Sequence, residues 1–182
     1  MGKKKSPTPT PGRRAKQPPA ACIIPNLLYL GPVSAASNTT FLAREGITHV
    51  LSIGKSPASR IEGIIYERLG LTDAEDSDIG PVVTNACDII DGAERSGGKV
   101  LVHCSAAISR SPTVVAAYLM RRRGVTLRES LVRLVEGREA VAPNRGFLRQ
   151  LCEMERELFG GDGTVRLDCV IASGGVRVAS WL

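Results

Sequence analysis

The sequence predicts one α/β domain, a central mixed sheet of four to five strands flanked by helices. Three observations carry that expectation. Short apolar runs bounded by glycine alternate with longer segments of helical period. The third and fourth runs are separated by one helix-length segment, as a crossover between strands of one sheet requires. A length of 182 residues, 43% of them hydrophobic, is enough for one core and too little for several.

The elements follow in order. Leu27–Leu30, His49–Ile53, Ile64–Leu69 and Val100–His103 read as strands, the third ending on Gly70 and the fourth preceded by Gly97-Gly98. Helical segments are expected at Thr39–Arg44, Val82–Glu94, Ser111–Arg122, Leu127–Gly137 and Arg145–Phe159. Asp78 with Pro81 resembles a helix start. Thr126 and Glu129 have capping-box spacing ahead of the stripe Leu127, Leu131, Leu134 and Val135. Asn144, after Pro143, reads as a helix N-cap and as nothing more. Gly160-Gly161 interrupt the helical period, so 23–159 is the expected domain. Residues 160–182 form an extension in which a hairpin about Gly174-Gly175 and a plain tail are both open.

The net charge of +6 is local. Six of the 24 basic side chains lie within the first 16 residues, which leaves 18 against 18 acidic ones elsewhere. Nucleic acid is therefore not an expected partner. Residues 1–22 are proline-rich, without apolar periodicity, and read as a disordered tail. No apolar window approaches the length of a membrane span and the N-terminus is no signal peptide, so a protein of the cytoplasm, the nucleus or both is expected. Membrane contact would come only through this tail, where Gly2 and Ser6 satisfy the minimal myristoylation pattern. KKK and RRAK also resemble a bipartite import signal. Five cysteines without CxxC spacing and only two histidines support neither a disulfide framework nor a metal centre. Reduced thiols, no metal and a monomer are expected.

The informative stretch is LVHCSAAISRSPT, residues 101–113. An apolar run delivers the chain to Cys104, and a helical segment begins just after Arg110. Unpaired backbone N–H groups at a helix start, aligned with its dipole, make an anion cradle. A thiol at the lip of that cradle beside an arginine should ionise below the free value of roughly 8.5 and become a nucleophile. Arg110 matches phosphate with a planar fork of donors. Such a thiolate is also expected to face an open cleft and to be the first cysteine oxidised by peroxide.

HCSAAISRS resembles the signature of the cysteine-dependent protein phosphatases. PTVVAAYLMRRRG and REAVAPNRGFLRQL are similar to the dual-specificity branch, over about Ile23 to Phe159. The resemblance implies a phosphatase-type loop in which Cys104 attacks phosphorus, Arg110 holds the phosphoryl oxygens and Ser111 hydrogen-bonds the departing sulfur. It implies that His103 braces the loop and that Ser105, Ala106, Ala107, Ile108, Ser109 and Arg110 wrap the phosphate. The loop contains no acid, yet a leaving alkoxide needs a proton, worth roughly 10²–10⁴ in rate. LGLTDAEDSDIG supplies candidates where the family carries its acid. Asp73 fits best and Asp76 comes next.

By the same resemblance the substrate is a phosphorylated protein, with phosphotyrosine and phosphoserine or phosphothreonine both admitted and no cofactor needed. Only seven aromatic residues occur, and no aromatic loop that would deepen the pocket is evident. SAAIS lacks the basic residues of phosphoinositide- and RNA-phosphatase relatives. Cys87 and Cys152 read as buried core thiols. Ala107 stands where the family has glycine, which leaves two functions open: a working phosphatase, or a low-activity pseudophosphatase that binds phosphoproteins.

Overall fold

The computed structural model describes residues 18–166. Five strands form one sheet: β1 Ala21–Ile24, β2 Leu28–Pro32, β3 His49–Ile53, β4 Ile65–Leu69 and β5 Val100–Cys104, in the order β1-β2-β5-β3-β4. β1 runs antiparallel to β2, while β2, β5, β3 and β4 are mutually parallel. The sheet is therefore mixed, as expected. All five residues of β5 are buried, because the strand lies between β2 and β3 with helices over both faces.

β1 is the strand absent from the sequence reading. It begins at Ala21, two residues ahead of the boundary expected at Ile23. Four residues between a proline-rich tail and Pro25, irregular in register between Cys22 and Ile24, carry too short an alternation to recognise.

The helices are α1 Thr39–Glu45, α2 Gly80–Arg95, α3 Arg110–Arg123, α4 Leu127–Gly137 and α5 Arg145–Phe159. Side-chain alternation along the strands divides the core in two. Tyr29, Val50 and Leu101 face Phe41 and Leu42 of α1 on one side. Leu30, Leu51, Val100 and Val102 face α2 to α5 on the other. Every residue of α3 from Ser111 to Met120 is buried, since the helix sits under α2, α4 and α5 and against the sheet. Each large apolar side chain so placed contributes about 1.5–3 kcal/mol. That burial fixes the position of the helix start that follows Cys104.

Local signals set the ends. Thr126 and Glu129 form the expected capping box on α4, and Asn144 Oδ1 accepts the Phe147 N–H at the start of α5. Within α5, the buried Glu155 carboxylate accepts from the Leu127 N–H at 2.7 Å and, from beyond the helix, from the Thr164 N–H at 2.7 Å and Thr164 Oγ1 at 2.6 Å. Val165 is buried beside it. The segment about Gly174-Gly175, for which a hairpin and a plain tail are both open, and the tail features at Gly2 and Ser6 lie outside the described residues. No helix among the described residues is long and apolar enough to cross a membrane.

Candidate active site

The loop from Cys104 to Arg110 joins the C-terminal end of β5 to the N-terminus of α3. Ser111 Oγ donates to Cys104 Sγ at 3.2 Å, and the N–H groups of Ser111, Ala107 and Ala106 also point to the sulfur. Burial pushes this thiol up, but the Ser111 hydroxyl followed by the three amides outweighs it, and the pKa falls below the ordinary thiol value. Cys87 and Cys152 are the internal contrast: buried without such donors, each is pushed up to about 11. Cys104 is only 2% exposed, so the expected open cleft is corrected to a thiol on the floor of its loop.

Arg110 folds back over the loop. Its Nη2 donates to Ser105 Oγ at 3.1 Å, and its Nε lies 3.7 Å from Asp73 Oδ2, beyond a hydrogen bond but within ion-pair range. Gly54, with φ +89° just past β3, lets the guanidinium lie there, because a Cβ would stand 2.5 Å from Nη1. The glycine after a predicted strand was visible in sequence, but its partner was not.

His103 is fully buried. Its Nδ1 lies 3.3 Å from the Cys104 carbonyl, which can only accept, so Nδ1 carries the proton. Nε2 then accepts from Ser52 Oγ at 2.9 Å. Burial lowers the pKa of the ring and keeps it neutral at physiological pH. The residue is thus a brace between β3 and β5. Ser52, which anchors it, was missed, since nothing in sequence links positions on two strands.

Asp73 is held on the loop after β4. Its Oδ1 accepts from Ser109 Oγ at 2.7 Å and from Asn144 Nδ2 at 3.0 Å, and Ser109 Oγ in turn accepts the Asn144 N–H at 3.2 Å. Asn144 therefore caps α5 and also holds Asp73, a second role that its sequence context did not signal. Asp76 takes no part in this cluster, and Asp78 accepts the Gly80 N–H at 2.8 Å, the helix-start role its spacing suggested. Gln150 secures the same loop, accepting the Ile79 N–H at 3.0 Å and donating to the Ser77 carbonyl at 2.9 Å. Gly146 has no room for a side chain, because a Cβ would fall 1.8 Å from the Glu75 carbonyl oxygen.

Ala107 has φ 55° and is fully buried. An alanine held there costs about 1–2 kcal/mol relative to glycine. Its neighbour Ile108 exposes its side chain, while the Ile108 carbonyl accepts from the Ala142 N–H at 2.7 Å. No group of three or more His, Cys, Asp or Glu among the described residues is placed to hold a metal.

A thiol with a lowered pKa inside a ring of amides, an arginine folded over it and a carboxylate held alongside, all at a strand-to-helix junction, define the class of cysteine-dependent phosphatases. Residues 28–157 match the family model described as dual specificity phosphatase, catalytic domain. The chain belongs to the dual specificity phosphatase family. It is 40% identical over 137 residues to dual specificity protein phosphatase 1 of Arabidopsis thaliana, covering 74% of this chain and 69% of the relative. It is 42% identical over 142 residues to human dual specificity protein phosphatase 26, covering 74% of this chain and 66% of the relative. The crystal structure of human DUSP28 superposes with a TM-score of 0.72 at 32% identity, covering 79% of this chain and 97% of that one.

Proposed function

We propose that this phosphatase hydrolyses phosphotyrosine and phosphoserine or phosphothreonine in proteins through a cysteinyl-phosphate intermediate. The observation that carries the reading is Cys104 Sγ, lowered in pKa among the donors of Ser111, Ala107 and Ala106, with Asp73 held beside Arg110.

In the first step the Cys104 thiolate attacks phosphorus. The S–P bond forms as the ester P–O bond breaks, and protonated Asp73 gives its proton to the departing oxygen. The loop amides and Arg110, whose Nη2 donates to Ser105 Oγ at the rim, take the charge on the equatorial oxygens. In the second step water attacks phosphorus and yields its proton to Asp73. The S–P bond breaks, and the sulfur leaves as a thiolate that receives the Ser111 hydrogen bond again. The products are the free hydroxyl and inorganic phosphate. His103 stays neutral throughout and fixes the carbonyl at which the loop begins.

Turnover of phosphotyrosyl and phosphothreonyl peptides, with Cys104→Ser as control, tests this. Trapping of 32P on the wild-type protein after acid quench, absent in Cys104→Ser, is the expected result. Turnover that survives in Cys104→Ser would end the covalent mechanism. The pseudophosphatase reading has one observation in its favour, the positive φ of Ala107, and it takes over if the parent binds phosphopeptides without hydrolysing them.

A further inference from the structure

Arg138 is the charged group near the site that the mechanism leaves unused. It ends α4, is half-buried, and its Nη2 donates to the Ala106 carbonyl at 3.4 Å. Its Nε is buried with no hydrogen-bond partner among the described residues, so the side chain bears a desolvation cost that one long hydrogen bond alone does not offset. Burial lowers its pKa, and the Cys104 charge opposes that fall, which marks the two as electrostatic neighbours.

The carbonyl it grips belongs to a particular peptide. In the Ala106–Ala107 unit the C=O is on Ala106 and the N–H on Ala107, and in a trans peptide the two point in opposite directions. Here the N–H of Ala107 donates to Cys104 Sγ, and the C=O on the other side meets Arg138. The orientation of that peptide sets φ of Ala107, which is 55°, and an alanine would relax by rotating the peptide toward negative φ. Such a rotation would withdraw the N–H from the sulfur and the C=O from Arg138 together.

Resting on the phosphatase reading, we infer that Arg138 is a positioning residue that pins the Ala106–Ala107 peptide in its strained orientation, so that the Ala107 N–H stays on the Cys104 sulfur. It takes the part that glycine's conformational freedom would otherwise play. The other groups facing the thiol are Arg110 and Ser111 from α3, Asp73 paired with Arg110, and neutral His103 behind the Cys104 carbonyl.

The test reads the thiolate directly, without turnover. Alkylation of Cys104 by iodoacetamide is followed against pH for the full chain and for Arg138→Met, Arg138→Lys, Ala107→Gly and the Ala107→Gly/Arg138→Met double variant, each checked for native circular dichroism. In Arg138→Met the midpoint of the alkylation profile should move to higher pH, with the rate at pH 6.5 falling about three- to tenfold. Arg138→Lys should retain most of the parent rate. In the Ala107→Gly background the same Arg138→Met change should cost less than twofold, because glycine holds positive φ unaided. An unchanged profile in a folded Arg138→Met protein overturns the inference, and so does an equal loss in both backgrounds. If Arg138→Met does not fold, the lysine variant decides: a three- to tenfold loss in folded Arg138→Lys would refute a role by hydrogen bond and charge. Because alkylation needs no catalysis, a shifted profile in a protein that never turns over would uphold Arg138 and reject the phosphatase reading. Normal turnover with an unmoved profile would do the reverse.

Discussion

Asn144 Nδ2 donates to Asp73 Oδ1 at 3.0 Å, joining two residues that lie 71 positions apart. The same side chain caps α5 through its Oδ1, and Ser109 Oγ completes the cluster by donating to Asp73. The position of Asp73, the proposed acid, is therefore set jointly by the start of α5 and by the loop from Cys104 to Arg110.

Removing the acid and removing its support should differ. Asp73→Ala should lower kcat on a phenyl phosphate ester by about 10²–10⁴, and much less on an ester with a good leaving group. Asp76→Ala should stay near the parent. Asn144→Ser keeps a capping oxygen but loses the donor to Asp73, so kcat should fall several-fold with little change in Tm. Equal kinetics for the Asp73 and Asp76 variants would reassign the acid.

Cys104→Ser should abolish turnover while vanadate binding, followed by calorimetry, largely survives, because the amides and Arg110 remain. Arg110→Lys should lose both binding and rate, since an ammonium cannot reproduce the two-pronged contact.

Ala107→Gly should raise kcat/KM about tenfold, equivalent to roughly 1.4 kcal/mol at the transition state. The observed φ of 55° is the condition on which this gain depends. A glycine variant with unchanged kinetics and unchanged stability would mean that the loop bears no strain at this position.

The pH dependence follows from two lowered pKa values of opposite chemical type. In the proposed mechanism Cys104 acts as thiolate, so the acid limb of kcat/KM should lie below the usual thiol range, and Ser111→Ala, which removes the largest favourable donor, should move that limb upward. His103 is neutral in the fold with a pKa below its unfolded value of about 6.5. Below that value the unfolded chain binds the extra proton, so stability is full above pH 6.5 and declines as pH falls through the folded pKa. Denaturant midpoints at pH 7.5 and 5.5 should show this decline, and His103→Gln should reduce it.

Gly146→Ala tests the contact between α5 and the acid loop. A methyl group 1.8 Å from the Glu75 carbonyl oxygen cannot be accommodated in place. The loop must shift, at a cost of about 1–3 kcal/mol in stability, and turnover should drop with it. An alanine variant matching the parent in Tm and kcat would show that the loop moves freely.

The parts legible in sequence were those written locally. α4 and α5 have the boundaries expected because Thr126, Glu129 and Asn144 signal their starts within a few residues. Cys104, Arg110 and Ser111 share one loop, and their chemistry depends on its position between a strand and a helix, which hydrophobic period reveals. Ser52 on His103, Gly54 under Arg110 and Arg138 on Ala106 were illegible for one reason: each pairs groups on separate elements, and such pairing is settled by strand order and helix packing. β1 was missed because a strand of four residues gains its stability from β2 rather than from its own pattern.

The three donors that meet the Glu155 carboxylate have a consequence for where this chain can be cut. Two of the three belong to Thr164, five residues beyond the last turn of α5, and the third is the first amide of α4. Ending a recombinant version at Phe159, where the helical pattern stops, would strip two of the three donors from this carboxylate and the cover from above it, a loss costing about 1–3 kcal/mol. The smallest piece worth purifying therefore runs past Val165, and a library of shortened clones should divide sharply between soluble and insoluble at that point.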